Sequence, residues 1–219
     1  MPLNQCDTLM LDMDGTILDL AFDNFMWLQR IPAVYARERG LDPEAARRAL
    51  FERYGRLQGQ LEWYCLDHWS ERLGLDIVGL HHAERDRIGW LPGAEAFLAE
   101  ARNRGVRLLL VTNSHPDTLA MKAEVTGLAA CFDRLYSAHD LGYAKEQQPF
   151  WEALAALEDF DPRRTLFVDD TEPVLASAET FGVRHLRAVS LPDASRPPRA
   201  AGRYAAVGGV AELLKANSP

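Results

Sequence analysis

The chain has 219 residues, enough at roughly 150 residues per domain for one large domain or for a domain carrying an insertion. Its 47% hydrophobic and 26% charged residues exclude a disordered or fibrous chain. Thirty-two acidic against 24 basic residues give a net charge of −8, unlike the basic surface of a nucleic-acid polymer or anionic-membrane binder. A phosphate could be held only by positive charge gathered locally or by a metal.

Cys6–Met13 is the first of five apolar runs that read as strands. About seventy residues follow with helical spacing and no convincing strand: Phe22–Arg39, Pro43–Leu57, Leu61–Leu73 and Ile77–Arg87. So long a stretch is not a loop, and it reads as a helical subdomain inserted at residues 19–87. The remaining chain, 1–18 and 88–219, reads as the core. There strands and helices alternate: a helix around Glu95–Ala101, strand Val106–Thr112, helix Leu119–Val125, strand Phe132–Ser137, helix Phe150–Leu157, strand Thr165–Asp169, helix Val174–Phe181 and strand Val183–Ser190. A Pro/Arg-rich loop over Pro192–Arg199 and a short helix over Val210–Ala216 close the chain. Leu108-Leu109-Leu110-Val111 and Leu166-Phe167-Val168 do not alternate with polar residues, as expected of strands buried on both faces. The fold class is therefore α/β, a doubly wound parallel sheet with an all-helical insertion.

Cys6, Cys65 and Cys131 are scattered, odd in number and form no CxxC pair, which speaks against a disulfide framework or a zinc knuckle. Met1–Leu11 has no basic region before an apolar run and is interrupted by Asp7, unlike a secretory signal. No apolar run approaches the ~18–20 residues needed to span a bilayer. These features fit a cytoplasmic protein.

Four polar clusters fall at successive strand ends, the edge where open α/β sheets bind ligands. Asp12 and Asp14, two apart on an extended segment, are able to address one site, although Asp-Gly also suits a turn. Thr112-Asn113-Ser114 offers hydroxyl, amide and N–H groups to an anionic oxygen, or simply a helix N-cap. Lys145, one of three lysines in an arginine-rich background, is placed at the opening of the helix after the third strand. Asp169-Asp170 delivers two more acids, the kind of hard oxygen donors that Mg²⁺ takes.

In that order, Asp12-x-Asp14-Gly15-Thr16, Thr112, Lys145 and Asp169-Asp170 resemble the four motifs of the haloacid dehalogenase-like hydrolases. The helical insertion looks like that family's cap. The resemblance implies Mg²⁺-dependent phosphomonoester hydrolysis, with Asp12 as nucleophile forming an aspartyl-phosphate and Asp14 as general acid and then base. It further implies phosphate held by Thr112, Asn113 and Lys145. Metal would be held by Asp12, Asp169 and the Asp14 carbonyl, with Asp170 behind them. The family's dehalogenases lack the acid matching Asp14, so its presence favours a phosphatase.

Longer stretches are similar to bacterial GMP/IMP 5′-nucleotidases: Asp19-Leu20-Ala21-Phe22-Asp23-Asn24, Trp63-Tyr64-Cys65-Leu66-Asp67, Trp69-Ser70-Glu71 and His115-Pro116. That similarity implies a purine mononucleotide as substrate. A purine needs an aromatic face and hydrogen-bond partners, for which Phe22, Asp23, Asn24, Trp27, Tyr64, His68 and Trp69 are the candidates. Trp27, Trp63 and Trp69 equally suit the core of the insertion. The competing readings are a phosphatase for a small sugar or glycolate phosphate, and a phospho-signalling or binding module without turnover. His68, His81, His82 and His115 read as surface or supporting residues rather than metal ligands.

Overall fold

The structure is a computed structural model and describes residues 5–215. Strands β1 (Thr8–Leu11), β2 (Arg107–Thr112), β3 (Arg134–Ser137), β4 (Thr165–Asp169), β5 (His185–Val189) and β6 (Ala206–Val207) form one sheet. Their order is β3-β2-β1-β4-β5-β6, and every pairing is parallel. Consecutive residues of the central strands enter opposite layers. Leu9, Leu11, Leu108, Leu110, Leu166 and Val168 belong to one buried cluster, and Met10, Leu109, Val111 and Phe167 to another. Both faces are dry, which is why these strands read as unbroken apolar runs. The chain winds outward from β1 through β2 to β3 and then crosses to β4 on the other side of β1. The crevice beyond its carboxyl end is therefore the topological switch point of the sheet.

Between β1 and β2 the first elements are all helical. Helix α1 (Ala21–Phe25) runs through a π-helical turn (Met26–Arg30) into α2 (Ile31–Arg39). Helix α3 (Pro43–Leu57) starts at Asp42, whose carboxylate accepts the Ala45 N–H at 2.8 Å. The helix expected over 61–73 is two, α4 (Leu61–Tyr64) and α5 (Leu66–Leu73), because Cys65 is extended at φ −85° and ψ 112°. Helix α6 (Ile77–Ala83) stops earlier than expected, at a 3₁₀ turn over Arg85–Arg87. These helices bury an aromatic knot in which Tyr54 meets Trp69 at 4.9 Å and Trp27 stacks on Trp63 at 6.4 Å. Two adjacent connections tie them to the sheet: Asp19 N–H donates to Gly89 and Leu91 N–H to Ile17, each at 2.9 Å.

The core helices follow in the expected alternation. Helices α7 (Ala94–Asn103) and α8 (Pro116–Thr126) cover one face. A short α9 (Ala138–Leu141) follows β3, and α10 (Gln148–Leu157) and α11 (Glu172–Phe181) cover the other face. Strand β6 and α9 had no counterpart in the sequence reading, being only two and four residues long. The closing helix, α12, is Glu212–Lys215; the Ala216 expected in it lies outside the described residues. Among the described residues no helix is long and apolar enough to cross a membrane, and the three cysteines are free thiols.

His81, on α6, is 1% exposed, with Nδ1 2.8 Å from the Ile77 carbonyl. Burial pushes its pKa down to about 4. The folded state thus resists a proton that the unfolded chain accepts near 6.5. Its contribution is complete above pH 6.5 and is lost as the pH falls toward 4, a penalty on the order of 3 kcal/mol. We expect His81→Leu to flatten the fall in stability between those pH values, as read from urea midpoints; an unchanged slope would refute this assignment.

Candidate active site

The polar clusters converge at the carboxyl ends of β1, β2 and β4. After β1 the chain folds back on itself, with the Met13 carbonyl accepting the N–H groups of Ile17 and Leu18 at 3.0 and 2.9 Å. Gly15 makes this possible at φ +81°. A Cβ there would stand 2.9 Å from the Asp170 carboxyl carbon and from Pro192. Gly15→Ala is therefore expected to cost about 1–3 kcal/mol in strain and to displace Asp170. A denaturant midpoint within error of the unmodified chain's would contradict that.

One buried group joins three of the motifs. Lys145 Nζ donates to Asp12 at 2.5 Å, to Asp169 at 2.8 Å and to the Val111 carbonyl at 3.1 Å. Lys145 does not open α10 as expected, nor does it face solvent. It lies in the turn before α10, held by its own N–H to Asn113 Oδ1 at 2.8 Å. That bond uses the Asn113 side chain to bind two motifs together, while Asn113 Nδ2 donates to Glu146 at 3.0 Å. The carboxylates of Asp12, Asp169 and Asp170 offer oxygens that all lie within 4.8 Å of one another. Asp170, expected behind the site, is thus a full corner of this triangle. Its carboxylate also meets Arg199 at 3.0 Å.

Burial, followed by neighbouring carboxylates, pushes Asp12 up to about 7 and Asp170 up to about 6, with Lys145 and Arg199 opposing. Asp169 is likewise raised to about 6 by burial, against the pull of Lys145. Burial would lower Lys145, but Asp12 and Asp169 outweigh it and hold it protonated. Three buried carboxylates facing one ammonium and one half-exposed guanidinium leave negative charge in surplus. That donor set, oxygen only, suits a hard divalent cation such as Mg²⁺.

Asp14 lies apart from that triangle. Its carboxylate accepts Ser114 Oγ at 2.6 Å and Lys122 Nζ at 2.6 Å. Lys122 is 1% exposed and also grips both oxygens of Asp23 at 2.8 Å. In the sequence Lys122 stands out only as one of the three lysines among many arginines. It lies one turn past Thr118 on α8, and both are buried there; the spacing alone does not reveal that pairing.

A cavity of about 760 Å³ opens over these groups. It is lined by Asp12, Asp14, Thr112, Lys145, Asp169 and Asp170 from the sheet domain and by Trp27, Tyr54, Trp63 and Tyr64 from the helical insertion. Of the expected specificity residues, Asp23, Asn24, Trp27 and Tyr64 line the cavity. Phe22 and Trp69 do not; at 1% and 2% exposure they are core, and Trp69 Nε1 donates to the Trp63 carbonyl. His68 lies off the cavity, its ring packed on Trp69 at 5.2 Å. Asn24 spends its amide on Asp193 at 2.8 Å, and Tyr64 donates to Glu146 at 2.6 Å. Tyr54, Trp63 and Glu146 are lining residues outside the expected set.

Residues 6–182 match the family description haloacid dehalogenase-like hydrolase. The chain is 43% identical over 187 residues to a GMP/IMP nucleotidase of Escherichia coli, covering 85% of this chain and 84% of that one. It is 28% identical over 177 residues to a pyrimidine 5′-nucleotidase of the same organism, covering 75% and 77%. Among solved structures, an HAD phosphatase from Thermococcus onnurineus superposes with a TM-score of 0.79 at 19% identity, over 96% of this chain and 97% of that one.

Proposed function

The chain belongs to the haloacid dehalogenase-like hydrolase family and is an enzyme of the phosphatase type, and from that premise we propose that it is a Mg²⁺-dependent 5′-nucleotidase acting on purine mononucleotides such as GMP and IMP. The observation that carries this reading is the lining of the cavity, which combines carboxylates and a lysine from the sheet domain with aromatic rings from the helical insertion. A phosphate ester with a planar base matches both kinds of lining group; a small sugar phosphate matches only the polar ones. Residues 19–87 are then the cap that supplies the aromatic wall, on a core of residues 1–18 and 88–219.

In this mechanism Asp12 attacks phosphorus and becomes an aspartyl-phosphate, splitting one hydrolysis into two displacements. Lys145, bonded to Asp12 and Asp169, offsets charge on the nucleophile and on the transferring group. Thr112 and Asn113 hold phosphate oxygens at the end of β2. Asp14 protonates the departing ribose 5′-oxygen and then takes a proton from the water that hydrolyses the intermediate. The Ser114 hydroxyl beside it can donate or accept, so it holds Asp14 in either protonation state. Asp12, Asp169 and the Asp14 carbonyl would hold Mg²⁺, with Asp170 close enough to share in it. When bound, the ion neutralises phosphate charge in a site otherwise rich in carboxylates.

Phosphate release from GMP, IMP, a pyrimidine mononucleotide, a sugar phosphate and phosphoglycolate, with Mg²⁺ and with chelator, tests the proposal. GMP and IMP should turn over fastest, and chelator should stop the reaction. Equal or faster release from the sugar phosphate or phosphoglycolate would reject the nucleotide assignment. Stoichiometric phosphorylation without turnover would point instead to a signalling module.

A further inference from the structure

A second cluster of donors lies where the helical insertion meets the sheet. Cys65, in the break between α4 and α5, brings its Sγ near the imidazoles of His115, at the start of α8, and His139, in the first turn of α9. One ligand atom from each lies within 4.8 Å of both others. The two rings meet edge to face at 5.0 Å. His139 Nε2 is shut off from solvent and makes no close hydrogen bond, with only the backbone carbonyls of Tyr64 and Asn113 acting on the ring. Asp67 Oδ2 stands 3.8 Å from His115 Nε2, and Asp117 Oδ2 stands 3.8 Å from His115 Nδ1.

We propose that Cys65, His115 and His139 form a second metal site selective for Zn²⁺-class ions that fastens the helical insertion to the sheet domain. One thiolate and two imidazoles are borderline-soft donors, the set that Zn²⁺ prefers and Mg²⁺ avoids. A tetrahedral Zn²⁺ separates its ligand atoms by about 3.3–3.8 Å, so shifts of about 1 Å bring these three onto one ion and leave its fourth position to water. Cys65 binds as the thiolate, and the Asp67 carboxylate beside His115 adds negative charge near the ion. Coordination through His115 Nε2 places the ring proton on Nδ1, beside the Asp117 carboxylate, which then orients the ring. Nδ1 now accepts only a long 3.4 Å bond from the Asp117 N–H, so little is lost in that change. The cysteines are too far apart in sequence for the usual zinc spacings. Only the meeting of the insertion with the ends of β2 and β3 assembles the site.

The test uses the full chain with saturating Mg²⁺, so that the carboxylate triangle is already served. Addition of Co²⁺ should produce one equivalent of a thiolate-to-cobalt charge-transfer band, displaced by Zn²⁺. Cys65→Ser should abolish the band, and His139→Gln should weaken cobalt affinity at least tenfold. On the unmodified chain, Zn²⁺ should slow alkylation of Cys65 at least tenfold, read by peptide mass spectrometry, and leave Cys131 unaffected. Absence of the charge-transfer band, or equal Cys65 reactivity with and without Zn²⁺, would overturn the proposal. Neither readout depends on phosphate release, so failure here is separable from failure of the nucleotidase reading.

Discussion

Asp12→Asn is expected to lower phosphate release from GMP by at least about 10⁴-fold while leaving the fold intact. The amide is nearly isosteric with the carboxylate but cannot attack phosphorus, and no other carboxylate at the strand ends shares its position. Asp169 keeps Lys145 paired at 2.8 Å after the change. Burial raises Asp12 strongly, so its ionised form gives the folded state little net stability. Thermal unfolding should therefore stay within about 1 kcal/mol of the unmodified chain. Turnover at the unmodified rate would remove Asp12 from the role of nucleophile. Loss of folding together with activity would mean that its carboxylate is structural.

The legibility of this site in the sequence has a physical origin. Asp12, Thr112 and Asp169 each follow or end an apolar strand, and parallel strands in register bring such ends to one edge. Position along the strand was therefore enough to predict that they meet. Lys145 belongs to no strand. It was misplaced at a helix start because the turn that holds it is built by a long-range bond from its N–H to Asn113, 32 positions away. Sequence spacing carries no trace of such a bond.

The helical insertion was legible in extent and less so in detail. Its aromatic residues serve either as core or as cavity wall, and one sequence pattern fits both. Trp69 and Trp27 illustrate this. Trp69 sits on α5 and is 2% exposed, while Trp27 sits in the π turn of the first helix and faces the cavity. A π turn rotates the side chains that follow it relative to α-helical spacing, so the face that Trp27 presents was not readable from a period of 3.6. The break at Cys65 was equally hidden, since Leu61–Leu73 keeps its apolar spacing across it.

Lys122→Met is expected to be the most destabilising single change near the cavity and also to slow turnover. One ammonium, 1% exposed, neutralises two carboxylates, Asp14 at 2.6 Å and Asp23 at 2.8 Å. Burial by itself would lower Lys122, but the two acids outweigh it and keep the ammonium charged. Burial and Asp14 in turn push Asp23 up, opposed by Lys122. Removing the lysine strands two like charges in a half-dry pocket, at a cost of about 3–5 kcal/mol. For a chain of this size that corresponds to a fall in melting temperature of roughly 10 °C. Methionine keeps the length of the side chain, so the loss reflects charge rather than a cavity. Asp14, no longer held between Lys122 and Ser114, should also deliver its proton less efficiently, lowering kcat by on the order of 10²-fold. Adding Asp23→Asn to Lys122→Met removes one of the stranded charges. The double variant should therefore be more stable than Lys122→Met alone, by about 1–2 kcal/mol. A single variant as stable as the unmodified chain, or a double variant no better than the single, would show that Lys122 is not what holds the two aspartates together.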